Sequence, residues 1–140
     1  MISAKQVEKP SFVEFLKEWE LNLMCGIDFT ASNGDPAKVS SLHYIYADGS
    51  FNNDYEQAIL GVCSILDCYS ETKSYAARGF GAKSYNGGPF ELSHSFPLGD
   101  SDTVIGCEGL LSAYKRTVTN CTFYGPTFFC PLLTDFYRKI

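Results

Sequence analysis

A chain of 140 residues that is 45% hydrophobic and 15% aromatic has enough apolar surface for one domain with a buried core. Eleven Lys and Arg against sixteen Asp and Glu leave a net charge of −5, which speaks against a nucleic-acid footprint and against general attraction to anionic lipid surfaces. Lys5, Glu8, Lys9, Glu14, Lys17, Glu18 and Glu20 break up the first twenty residues, so no signal peptide is expected there, and no membrane-spanning run follows. The chain reads as cytosolic.

Residues 1–10 are polar and end at Pro10, the pattern of a linker or of the remnant of a preceding module. Ser11 then precedes Phe12, Val13, Phe15 and Leu16 at helical spacing, with Glu14 at the third position, and predicts a short amphipathic helix over 11–19. Residues 20–28, ELNLMCGID, form a nearly continuous apolar run too short for a typical helix. Such a run suits a strand covered on both faces, in the interior of a parallel sheet. It ends in a carboxylate, Asp28.

Residues 29–53 hold Gly, Pro, Asn, Asp and Ser punctuation around one apolar island, Leu42-His43-Tyr44-Ile45. That is a long connection for a compact domain, and long connections are usually functional. Apolar residues then recur at helical spacing over 54–69, and two strands are expected over 75–82 and 90–98, joined by the turn-rich residues 84–89. A second long helix is expected over 107–118, with Leu110, Leu111 and Tyr114 on one face. Residues 121–127 read as an extended segment with a turn, leading into a helix from 128 to the end. The order predicts an α/β fold, a mainly parallel central sheet flanked by helices.

Six cysteines are scattered without a C-x-x-C pair, several inside apolar runs where a thiol acts as a small hydrophobe, so neither disulfides nor zinc are expected. His43 and His94 each lie beside aromatic residues with no nucleophile or orienting acid at a recognisable spacing, and read as hydrogen-bonded structural histidines. Gly79-Phe80-Gly81 lacks the third glycine and following helix of a dinucleotide fingerprint and reads as close strand packing. Tyr44, Tyr46, Phe51 and Tyr55 form an aromatic group near the loop after Asp28, a composition more often of core than of a contact surface.

Chemistry concentrates in Asp28-Phe29-Thr30-Ala31-Ser32, where a carboxylate and two hydroxyls follow the first strand at alternate positions. Ligands of open α/β sheets bind beyond the carboxyl ends of strands, and magnesium takes a near-octahedral shell of hard oxygens while keeping several waters. The D-x-T-x-S pattern alone is weak, and taken by itself it fits an ordinary strand followed by an Asx or Ser turn better than a metal site.

In order along the chain, IDFTASNGDP, SLHYI, GFGAK, ELSHSF, CEGLLSAY and YGPT together resemble copine sequence, from about residue 11 to residue 131. The resemblance implies a von Willebrand factor A-type fold over 11–140, its last strands and helices missing. It also implies a metal-ion-dependent adhesion site for Mg2+ or Mn2+ at Asp28, Thr30 and Ser32, with Thr127 of the Y-G-P-T turn as a further ligand.

The family's second aspartate follows in a later apolar-T-D-G segment, which has no match before Ile140. Asp135, inside the predicted last helix and without a following glycine, is no substitute, so a weak site is expected. The implied role is metal-dependent protein–protein interaction, a partner's acidic side chain meeting the ion, without catalysis. Calcium-dependent phospholipid binding and plasma-membrane recruitment are implied only for a full-length member carrying its lipid-binding modules, in an otherwise cytoplasmic setting. The alternatives are a magnesium-dependent phosphotransfer hydrolase with Asp28 as nucleophile, which lacks the second aspartate where Thr30 stands, and a fragment with no function of its own. A ubiquitin-ligase reading fails because no zinc-binding Cys and His cluster occurs.

Overall fold

Ser11 and Glu14 do what their spacing predicts: the Glu14 carboxylate accepts from the Ser11 backbone N–H at 2.8 Å, and Ser11 Oγ accepts from the Glu14 N–H at 3.3 Å. They open helix α1 (Phe12–Leu16). The computed structural model describes residues 9–16, 19, 21–84 and 90–139; most of the 1–10 linker, residues 17, 18 and 20 and the turn at 85–89 lie outside them. Phe12, Val13 and Phe15 of α1 are exposed, so this helix turns apolar side chains outward.

Strand β1 (Met24–Asp28) follows, and the connection after it opens with a 3-10 turn, Ala31–Asn33. Helix α2 (Asp54–Leu66) starts at a second capping box, in which Asn53 Oδ1 accepts from the Glu56 N–H at 2.9 Å and Glu56 Oε2 accepts from the Asn53 N–H at 2.8 Å. Strand β2 (Ser74–Phe80) runs parallel to β1 in register Met24 to Ala76 through Asp28 to Phe80.

At Gly81 the chain turns through φ +75°, a left-handed conformation that favours glycine, and continues as β3 (Ala82–Ser84) in a different sheet. Strands β4 (Glu91–Ser93), β5 (Phe96–Pro97) and β6 (Thr103–Ile105) come next. Helix α3 (Gly106–Asn120), strand β7 (Cys121–Phe123) and helix α4 (Cys130–Tyr137) complete the order.

Two small sheets result. In the first, β2 pairs with β1 on one edge and with β5 and β6, both antiparallel, on the other. In the second, β3 lies between β4 and β7, all antiparallel. The fold is α/β as expected, but the sheets are mixed, and the expectation that the first strand lies in the sheet interior is corrected: among the described residues β1 pairs with β2 alone. A parallel pair needs a crossover of a dozen residues or more, and the segment with α2 provides one between β1 and β2.

Alternation along the strands sorts residues to the two faces of the first sheet. Ile27, Tyr75 and Ala77 join Ile59 and Cys63 of α2 and Leu110, Ala113 and Tyr114 of α3 in the main core, with Phe29 from the loop. On the other face α4 packs on β2, with Leu132 buried and the Phe80 and Phe129 rings 5.2 Å apart. Among the described residues no helix is long and apolar enough to cross a membrane.

Candidate functional site

Asp28 closes β1 at its carboxyl end, the position where α/β sheets bind ligands. Its Oδ1 accepts from the Thr30 backbone N–H at 2.8 Å, an Asx-type bond that turns the chain immediately beyond the strand. Thr30 is buried and Ser32 exposed, yet their hydroxyl oxygens lie 3.0 Å apart in a hydrogen bond. Neighbouring oxygens of an octahedral shell at 2.0–2.1 Å from Mg2+ are about 2.8–3.0 Å apart. The hydroxyl pair thus has the spacing of one octahedral edge, with the Asp28 carboxylate two residues away.

Tyr124, three residues before Thr127, lies against the loop. Thr30 and Tyr124 form an isolated parallel bridge, the Ala31 N–H donates to the Tyr124 carbonyl at 2.6 Å, and the Tyr124 N–H donates to the Gly81 carbonyl at 3.0 Å. Y-G-P-T therefore starts alongside D-x-T-x-S, with a cis Gly125–Pro126 peptide between Tyr124 and Thr127. Thr127 itself is exposed, and among the described residues no hydrogen bond joins it to Asp28, Thr30 or Ser32. Asp135 lies elsewhere: its carboxylate pairs with Arg78 at 3.1 Å and with Arg138 at 3.6 Å, on the α4 face of the sheet.

A buried polar scaffold supports the loop from below. Asn33 Nδ2 donates to the carbonyls of Asp28 at 3.3 Å and Thr30 at 3.1 Å, and the Tyr55 hydroxyl donates to Asn33 Oδ1 at 3.0 Å. His43, fully buried, is hydrogen-bonded through Nε2 to the Asp28 carbonyl at 2.8 Å and through Nδ1 to the Tyr114 hydroxyl at 3.0 Å. Its ring lies between Tyr55, stacked at 3.9 Å, and Phe29, stacked at 5.3 Å, with Phe123 edge-on at 4.9 Å.

Burial pushes the His43 pKa down to about 4, against the opposing pull of its bond to the Asp28 carbonyl and of the Asp28 charge, so the imidazole is neutral at pH 7. The Tyr55 phenol is pushed up to about 12, by burial first and by the Asp28 charge second.

The structural-histidine reading holds for His43, and His43 is also the residue that ties the Asp28 loop to α3. The His94 ring meets Phe128 edge-on at 4.9 Å, next to Thr127 in sequence, and its buried Nδ1 has no hydrogen-bond partner among the described residues. The four-membered aromatic group divides: Tyr44, Tyr46 and Phe51 make ring contacts with one another near the surface, while Tyr55 belongs to the His43 stack. Gly79 and Gly81 confirm close packing. A Cβ on Gly79 would come within 2.5 Å of the Phe96 ring, and one on Gly81 would press on Thr30. Asn33, Tyr55 and Tyr114 carry no motif that marks them as supports of Asp28; only the proximity of Asn33 to the D-x-T-x-S segment could have raised it.

Comparison with known proteins identifies the family. The Copine family model matches residues 41–140. Nicotinic receptor-associated protein 1 of Caenorhabditis elegans is 39% identical over 142 residues, covering 98% of this chain and 22% of that protein. Protein BONZAI 2 of Arabidopsis thaliana is 42% identical over 127 residues, covering 88% of this chain and 21% of that protein, and Protein BONZAI 1 is 39% identical over the same span. The chain thus spans about a fifth of the length of these relatives. With a family model matching more than half of its residues, the chain belongs to the copine family.

Proposed function

We propose that this chain is a metal-dependent protein-interaction module, in which Asp28, Thr30 and Ser32 hold Mg2+ or Mn2+, Thr127 adds a further oxygen, and an acidic side chain of a partner protein completes the shell. The observation that carries the reading is the Thr30 and Ser32 hydroxyl pair, 3.0 Å apart beside the Asp28 carboxylate. A hard cation there supplies a positive centre for a carboxylate.

Binding rather than catalysis fits the neighbourhood. Both His43 nitrogens are engaged by the protein, leaving neither to serve as a base, and Thr30 stands where a phosphotransfer aspartate would be needed. A protein partner also accords with the name of the nematode relative, which describes association with a nicotinic receptor.

With one carboxylate among these four side chains the site is weak, with a dissociation constant on the order of 0.1–1 mM or above. Titration of Mn2+ by calorimetry or paramagnetic NMR tests this: Asp28→Ala abolishes binding, while Asp35→Ala, in the outer loop, leaves it unchanged. Equal binding by Asp28→Ala and the parent chain would overturn the assignment.

A further inference from the structure

We propose that His43 is the positioning residue of the candidate metal site, its Nε2–H gripping the Asp28 carbonyl so that the Asp28 carboxylate is held beside the Thr30 and Ser32 hydroxyls. The inference rests on the metal reading above and adds a residue that touches no metal.

Hydrogen-bond roles follow from what each partner can do. A carbonyl oxygen only accepts, so the hydrogen of the His43 and Asp28 contact sits on Nε2. In a neutral imidazole Nδ1 is then an acceptor, and the Tyr114 hydroxyl 3.0 Å away donates to it. The Asp28 carbonyl thereby fixes the tautomer, and the Tyr114 hydroxyl satisfies its second nitrogen and holds the ring from the α3 side. Asn53 Oδ1, 3.2 Å from the same hydroxyl, keeps its donor in the Glu56 N–H. Glu56, itself buried, pairs with Lys115 Nζ at 2.7 Å. A continuous chain of polar contacts thus runs from the end of β1 through α3 to the N-terminus of α2.

Stacking completes the fixation. Between Tyr55 and Phe29, with Phe123 against its edge, the ring has one orientation, and the direction of its N–H is fixed with it. A phenylalanine could fill this slot without bringing two polar atoms into the core. The nitrogens go to holding a carbonyl at the one residue whose carboxylate serves the candidate site. Asn33, on the same carbonyl at the longer distance of 3.3 Å, gives weaker support.

Two variants of the full chain separate positioning from packing. His43→Phe keeps the aromatic stack and removes both nitrogens, whereas His43→Gln keeps an N–H near the Nε2 position. Removal of a group that orients a metal ligand weakens affinity about 10–100-fold, and at least about tenfold is expected for Mn2+ with His43→Phe, against about threefold or less with His43→Gln. A second readout needs no metal: exchange of the Thr30 amide, which donates to Asp28 Oδ1, should quicken in His43→Phe relative to the Cys63 amide of α2 and recover in His43→Gln.

Unchanged Mn2+ affinity and unchanged Thr30 exchange in a folded His43→Phe chain would overturn the positioning role while leaving the metal reading intact. A parent chain that binds no Mn2+ overturns the metal reading and the purpose assigned to His43, even if Thr30 exchange still responds. Should His43→Phe not fold, Tyr114→Phe carries the comparison, because it keeps the tyrosine ring and removes the hydroxyl that holds Nδ1 of His43. About threefold weaker Mn2+ binding is then expected, and parental affinity overturns the proposal.

Discussion

Leu132 of α4 occupies the space that a side chain on Gly26 would need: a Cβ there would lie 2.5 Å from a Leu132 methyl carbon. The pair sets how closely the last helix can approach β1, and Leu132 is the buried hydrophobe of that helix. Leu132→Ala should lower stability by about 2–4 kcal/mol, as deletion of a buried leucine side chain generally does. Gly26→Ala should cost about 1–3 kcal/mol by overpacking. In the double variant the smaller residue at 132 accepts the new methyl, so denaturant titration should find a total below the sum of the two; strict additivity would show that the residues do not share the space.

The second attachment of α4 is ionic. Buried Arg78 of β2 pairs with Asp135 at 3.1 Å and with Asp102 at 2.5 Å, and Lys139 reaches Asp102 at 3.1 Å. Asp135→Asn leaves Arg78 its other partner, so a loss of about 1 kcal/mol or less is expected. Arg78→Met should be more damaging, because it releases both carboxylates at once.

The hydrogen bond from Lys139, aided by its charge and by Arg78, holds the Asp102 carboxyl below the usual range against some burial. Being depressed in the folded state, it adds stability that is present above the ordinary carboxylate pKa and is lost as the pH falls through the folded value. The acid limb of the melting curve should flatten in Asp102→Asn, as thermal melts over a pH series would show.

Much of this fold is legible from local signals. The reciprocal pair Ser11 and Glu14, the apolar run closing in Asp28, and the helical periodicity of α2 and α3 each appear where their chemistry predicts. Legibility ends where long-range geometry decides. Residues 75–82 read as one strand, but the left-handed turn at Gly81 sends the chain into another sheet, and residues 90–98 divide around Ser93–Ser95 in the same way. β6 escapes notice because only Val104 of its three residues is buried. D-x-T-x-S announces Asp28, Thr30 and Ser32, whereas Tyr114 reaches Asp28 only through His43, a relation between distant segments that leaves no periodic trace.

Cysteine chemistry offers a check on the core. Burial pushes the Cys25 thiol up to about 11 and those of Cys63 and Cys121 to about 12, Cys63 also through its contact with Cys107. Raised values leave little thiolate at pH 8, whereas Cys68 and Cys130 are exposed. Alkylation followed by mass spectrometry should therefore label Cys68 and Cys130 at least about tenfold faster than Cys63. Comparable rates would mean that the α2 face of the sheet opens readily.

Thr30 has two separable tasks, and this allows the metal reading to be tested without disturbing the fold. Its Oγ1 lies 3.0 Å from Ser32 Oγ, while its backbone and methyl group pack against Gly81, where a Cβ would come within 3.1 Å of the Thr30 nitrogen. Thr30→Val keeps the branched shape and removes the oxygen; Thr30→Ser keeps the oxygen and removes the methyl. Losing one of a few hard-oxygen ligands should weaken Mn2+ binding in Thr30→Val by about tenfold or more. Its melting point should stay close to the parent, apart from the lost contacts to Ser32 and Asn33. Thr30→Ser should show the converse, near-parental affinity with about 1 kcal/mol less stability from the deleted buried methyl. Gly81→Ala joins both effects, since it strains a left-handed backbone position and pushes on the Thr30 backbone, so stability and affinity should fall together. If Thr30→Val and Thr30→Ser bound Mn2+ equally well, the hydroxyl would be no ligand, and the spacing of the pair would reflect only a hydrogen bond within a turn.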